Sequence, residues 1–124
     1  MTLIGVHLGI GRSFTFHMSK EEEIYGRYGP KGHIKGGELL LQHEDAQRFV
    51  EDCKRLGLAI LGMDFYIEKN GEVVELVGAS ADYSSLKAAP DIVEQSVLAA
   101  RKLLSAGLPD HAKWVSFIVE PAHD

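Results

Sequence analysis

The 124-residue chain has a single cysteine, Cys53, so no intrachain disulfide can staple it. Cys53 reads as a small apolar residue on the inward face of a helix, with pairing to another chain left open. No apolar run reaches the ~18 residues that a membrane span needs. No basic stretch leads into an apolar core and a small-residue cleavage site, so a secretory leader is not expected and a cytoplasmic location is. Positive charge is scarce: 13 Lys and Arg stand against 18 Asp and Glu, for a net charge of −5. Without a basic patch, direct nucleic-acid binding is not expected. An acidic balance suits a basic protein partner.

Catalytic and cofactor motifs are also lacking. The six histidines show no ligand spacing such as two histidines four apart on a helix. His7 and His17 fall on neighbouring candidate strands, His33 and His43 flank a loop and a helix start, and His111 and His123 lie in turn or terminal segments. No metal is expected. The glycine-rich pieces GVHLGIG (5–11) and GPKGHIKGG (29–37) match neither the dinucleotide fingerprint nor a Walker-type loop, so no cofactor is expected. Ser80, Ser84, Ser85 and Ser96 lack a nucleophile-elbow context.

What is present is patterning for one domain over residues 1–124. TLIGVHLGI (2–10) and SFTFHM (13–18) are strand-like, Phe14 and Phe16 alternating with polar residues, and Gly9 and Gly11 could form the turn between them. Ser19 followed by Glu22 has capping-box spacing, which predicts a short helical turn over 20–25. The glycines and proline of 26–37 predict a long exposed loop. GELLLQ (37–42) could form a short strand. Over 43–57, Ala46, Phe49, Val50, Cys53 and Leu56 make one apolar helix face, and Gly57 is placed to end it.

Asn70-Gly71 predicts a hairpin with a two-residue type I′ turn. The register sets Lys69 opposite Glu72, Ile67 opposite Val74 and Phe65 opposite Leu76 on the core face. The other face pairs Glu68 with Val73, Tyr66 with Glu75 and Asp64 with Val77, and is polar with one aromatic. A second helix begins near Pro90, with Ile92, Val93, Ser96, Val97, Ala100, Leu103 and Leu104 inward. Gly107 and Pro109 stop it. Strand 113–120 is apolar on both sides, as a central strand would be. The expected fold class is α+β: a single domain with a mixed or antiparallel sheet and two main helices packed on one face.

Two acidic, tyrosine-bearing segments stand out. One holds Glu21, Glu22, Glu23, Tyr25 and Tyr28. The other holds Asp64, Tyr66, Glu68, Glu75, Asp82 and Tyr83. Tyrosine supplies contact area with a polar tip and is enriched at interfaces, and carboxylates beside it would steer a basic partner. Acid–base chemistry at Asp64, Glu68 and Glu75 would need burial to push their pKa values apart, whereas a hairpin face beside a charged turn is usually wet.

The segments AILGMDFYIEKNGEVVEL, ADYSSL, IVEQSVLAARKLL and WVSFIVE together resemble the immunity proteins of bacterial polymorphic toxins and contact-dependent growth inhibition systems. Members carry an apolar strand ending in Leu-Gly-Gly-Asp plus an aromatic, then a hairpin, a short Asp/aromatic segment, a helix with a Ser and a basic residue, and a closing apolar strand. Leu61, Gly62, Asp64 and Tyr66 match the first element, Asp82 and Tyr83 the short segment, and Ser96 and Arg101 the helix. Met63 replaces the second glycine, and the tryptophan expected near Tyr83 is missing. The resemblance spans roughly residues 50 to 120 and leaves 1–42 unmatched. It implies a cytoplasmic, non-enzymatic antidote that binds and neutralises one toxin domain, often a basic nuclease. A small hydrolase-like enzyme and a small-ligand-binding or oligomeric domain stay open beside it.

Overall fold

A computed structural model describes the backbone of residues 6–7, 13–14 and 18–122, and the side chains of 18–122. Val6–His7 (β1) and Ser13–Phe14 (β2) pair antiparallel, Val6 opposite Phe14. The expected strands 2–10 and 13–18 and the Gly9/Gly11 turn otherwise lie outside the described residues.

Helix α1 runs from Lys20 to Tyr28, longer than the single turn expected. Its start is the capping box: the Glu22 N–H donates to Ser19 Oγ at 3.0 Å, and the Ser19 N–H to the Glu22 carboxylate at 3.0 Å. Those two bonds satisfy amides that a helix start otherwise leaves unpaired. Helix α2 spans His43–Leu56 and buries Ala46, Phe49, Val50, Cys53 and Leu56. Gly57, at φ 72°, closes it in the left-handed region. Helix α3 spans Ile92–Ser105 and buries Ile92, Ser96, Val97, Ala100 and Leu104.

The segment 26–37 is a correction to the sequence reading. It is not a long loop: α1 continues to Tyr28, a 3₁₀ turn covers Gly29–Lys31, and β3 (His33–Lys35) pairs antiparallel with β4 (Glu38–Leu40). The glycines punctuate this tight arrangement. Gly36 and Gly37 form the two-residue hairpin turn, with φ 56° and 82°. A Cβ on Gly32 would lie 2.6 Å from the Leu40 carbonyl oxygen, so only glycine admits so close an approach.

The main sheet centres on β5 (Leu58–Lys69). One edge of β5 pairs with β6 (Glu72–Glu75) and β7 (Ala81–Asp82), the other with β8 (Trp114–Pro121). Every described pairing is antiparallel. Beyond β8, a single bridge from Leu41 to Val115 joins the β3–β4 hairpin to the sheet, with both N–H···O bonds at 2.8 Å.

The hairpin register follows the sequence: Tyr66 faces Glu75, Ile67 Val74, Glu68 Val73 and Lys69 Glu72. Asn70 and Gly71 both have positive φ, 53° and 79°, as a type I′ turn demands. Leu76 continues the pairing by donating to the Phe65 carbonyl at 2.7 Å. The expected Asp64–Val77 pair does not form. Gly78 (φ 92°) turns the chain away, and Val77 is 88% exposed.

Helices α2 and α3 cover one face of the sheet, with α1 beside α2. Phe65, Met63, Ile60, Val115, Phe117 and Val119 face them in one core. Phe49 is its hub, stacked on Phe117 at 4.5 Å and met by the rings of Tyr25 and Tyr28. The opposite face carries a second, smaller core of Leu40, Tyr66 and Trp114, with Val73 packed against it. The β3–β4 hairpin folds towards β6, and Lys35 Nζ donates to the Val73 carbonyl.

Candidate functional site

The alternation of β5 fixes which candidate residues share a surface. Met63 and Phe65 point into the helical core, so Asp64, Tyr66 and Glu68 point the other way. Glu75 lies opposite Tyr66 and Asp82 opposite Gly62, which puts both on that same open face. The structure therefore brings Asp64, Tyr66, Glu68, Glu75 and Asp82 together. Tyr83 follows Asp82, turns inward and packs, half-buried, against the main core. Glu21, Glu22, Glu23, Tyr25 and Tyr28 belong to α1, in the helical layer beyond β8, and form no continuous patch with the others.

The tyrosines are less available than their sequence context suggested. Tyr66 is only 5% exposed, and its hydroxyl donates to the Glu38 carboxylate. Burial, reinforced by that bond, pushes its pKa up to about 12. Tyr28 is buried and donates to Asp52 Oδ2 at 2.7 Å. Tyr25 donates to the Phe117 carbonyl at 3.0 Å, and burial raises its pKa to about 12. None of the three ionises near neutral pH. These tyrosines read as surface residues in a linear sequence because their covers, the β3–β4 hairpin and Phe49, arrive from elsewhere in the chain.

The carboxylates of the open face are wetter. Asp64 is half-buried and accepts from Ser80 Oγ at 2.7 Å. Glu68 is exposed and pairs with Lys113 at 3.3 Å, a separation worth little at the surface. Hydrogen bonds from Ser84 hold Asp82 below the usual carboxylate range. Among the described residues, Asp64, Glu72, Glu75 and Asp82 enter no ion pair, nor do Glu21, Glu22 and Glu23. The described arginines pair elsewhere. Arg27 and Arg55 flank Asp52, Arg48 sits on Glu44 and Asp45, and Arg101 forks onto Glu51 at 2.8 and 2.9 Å. Buried Cys53 has its thiol pKa raised by burial, well away from thiolate chemistry.

The residues that carried the family resemblance meet at one feature that the sequence reading missed. The β5–β8 register shifts between Ile60 and Gly62, a β-bulge at Leu61. The Ile60 N–H donates to Ser96 Oγ on α3 at 3.0 Å. The Leu61 carbonyl accepts from the Tyr83 N–H at 2.8 Å. Gly62 lies against β7, where a Cβ would sit 3.0 Å from the Ala81 carbonyl. Leu61, Gly62, Asp82, Tyr83 and Ser96 thus form one structural joint. Bulges re-aim side chains and strands, and this one sets how β5 presents Asp64 beside Asp82. Arg101, one face over on α3, ties that helix to Glu51 on α2.

Among the described residues, no three of His, Cys, Asp and Glu converge as a metal site, and no helix is long and apolar enough to cross a membrane. Comparison with models of protein families, with curated proteins and with solved structures finds no match.

Proposed function

We propose that this chain is an immunity protein: a binding module that neutralises a cognate toxin domain of basic charge. The observation that carries the reading is the distribution of charge over the fold. The described arginines are all committed to ion pairs on the helical layer, and on the open face of the sheet an ion pair joins Lys113 to Glu68. The carboxylates Asp64, Glu75 and Asp82 share the open face of the sheet and, among the described residues, enter no ion pair. Such a surface leaves net negative field where a basic partner approaches, which speeds encounter more than it tightens the complex. The bulge joint supports the same reading, because the residues shared with the immunity-protein pattern hold this face in shape instead of forming a catalytic set.

On this reading Asp64, Glu75 and Asp82 make contacts, while Tyr66 and Tyr83 support the surface from beneath. No residue has a catalytic role. The test is co-purification with the product of the neighbouring reading frame, followed by association kinetics at rising salt. The on-rate should fall about tenfold or more between low and physiological ionic strength as the field is screened, with a much smaller change in off-rate. Reversing Asp64, Glu75 and Asp82 to lysine should slow association likewise. A neighbour that does not bind, or binding indifferent to both salt and these reversals, would overturn the proposal.

A further inference from the structure

The open face carries an apolar centre as well as its carboxylates. Taking the partner's identity from the immunity reading, we infer that the toxin domain seats one large apolar side chain between Ile34 and Ile118, with lysine or arginine beside it to meet Glu38, Asp64 and Asp82. Ile118 lies opposite Gly62 on β5, and Gly62 lies opposite Asp82 on β7. Residues directly opposite in an antiparallel pair project to the same side, so Ile118 and Asp82 share the open face. Two strand spacings, about 10 Å, separate their backbones, and Gly62 between them has no side chain. The Ile118 Cδ1 methyl leans into that gap, 3.6 Å from where a Cβ on Gly62 would stand. Asp64 faces Ser116, which makes it the diagonal neighbour of Ile118, roughly 7–8 Å away. Ile34 comes from the β3–β4 hairpin. Together with Ile118, Ser116 and Glu38 it lines a cleft of about 460 Å³. The Glu38 carboxylate reaches the open face from the hairpin, where it accepts from the Tyr66 hydroxyl. Lys35, opposite Glu38, donates to the carbonyl of Val73, which faces Glu68 at the other end of β5.

A single exposed isoleucine is ordinary on a protein surface. Two on one cleft, 58% and 52% exposed, are a different matter, because neither belongs to either core of the fold. Both are β-branched and sit on strands, so they hold few rotamers, and covering them with a partner loses little side-chain entropy. Binding hot spots have this build: an apolar anchor in a concave centre, ringed by polar groups that close water out. The two parts act on different rates. Carboxylates at the rim steer encounter, whereas the buried centre sets how long the complex lasts. Leu98 is just as exposed, at 53%, but belongs to α3 on the covered face of the sheet, so it makes a matched control.

The test compares association and dissociation rates with the product of the neighbouring reading frame for Ile34→Thr, Ile118→Thr and Leu98→Ala. Threonine keeps the β-branch and the strand preference, so each free variant should keep its Tm within about 3 °C of the native chain. Each threonine variant should speed dissociation about tenfold or more and leave the on-rate within about twofold. Leu98→Ala should change neither rate. Unchanged dissociation in either threonine variant would overturn the inference and keep the immunity reading. So would a loss confined to the on-rate, or an equal effect of Leu98→Ala. A larger fall in Tm of the free threonine variants would mean that other residues of the chain already pack on the isoleucines, and would overturn it as well. A neighbouring product that does not bind the native chain would remove both the anchor and the immunity reading.

Discussion

Replacing Ser96 with alanine tests the joint between α3 and the bulge of β5. Ser96 is fully buried. Its Oγ accepts the Ile60 N–H at 3.0 Å and donates to the Val93 carbonyl at 3.3 Å. The substitution removes one oxygen, so the volume change is small. What matters is the Ile60 amide, displaced from the ladder by the bulge and left without an acceptor in the core. An unsatisfied buried donor costs about 1–3 kcal/mol. The Val93 carbonyl, within a helix, keeps its ladder partner and adds little. We expect urea unfolding at pH 7 to show a loss of about 2 kcal/mol at unchanged m, and a Tm lower by roughly 5–10 °C for a domain of this size. The Ile60 amide should also exchange faster than its β5 neighbours. Ser96→Thr, which keeps the hydroxyl, is the partner variant, and it should retain the slow Ile60 exchange even if the extra methyl costs stability. A Ser96→Ala loss below about 0.5 kcal/mol, with Ile60 still protected, would refute the role given to this bond.

Three further outcomes follow from the same structure. Gly71→Val places a β-branched residue at φ 79° in open space; with no clash to relieve, the cost is backbone strain of about 1–2 kcal/mol, and an unchanged urea midpoint would argue against the turn. Gly32→Ala should cost more, about 2–4 kcal/mol, because the new methyl meets Leu39, Leu40 and Leu41 within 2.9 Å, and loss of the Trp114 emission of the native state would report it. Stability should fall as pH drops below about 4.5: Asp52, Glu51 and Glu22 have lowered pKa values in the folded state, so their contribution is present above the ordinary carboxylate pKa and is lost as pH falls through the folded values. Partial burial opposes ionisation of Asp52, and hydrogen bonds from Tyr28 and Arg55 overcome it. Asp52→Asn should flatten part of this acid limb, and an acid limb identical to that of the native sequence would refute its place there.

Local signals in the sequence translated well where one short segment determined its own geometry. Asn70-Gly71 set its hairpin's turn and register, Ser19 and Glu22 set a helix start, and the apolar face of 43–57 set α2. The reading failed where distant segments decide the outcome. Residues 26–37 looked like a loop because glycine signals turns in general; that two of them build a β-turn and a third permits close backbone contact depends on Leu39–Leu41. Tyr66 looked exposed because its alternation put it opposite the helical core, while its cover is a hairpin formed some thirty residues earlier. The bulge at Leu61 left no local mark, since Ile60-Leu61-Gly62 is equally compatible with a regular strand. For the candidate site, the acidic residues of β5–β7 were legible as a group, and their separation from those of α1 was not.

Neutralisation is measured most directly by the growth of cells. The neighbouring reading frame is expressed under tight control, alone and together with this chain, and growth is followed after induction. Growth should arrest with the neighbour alone, recover with this chain, and recover less when Asp64, Glu75 and Asp82 are all reversed to lysine in a variant that still folds. A neighbour that arrests growth equally with and without this chain would refute neutralisation.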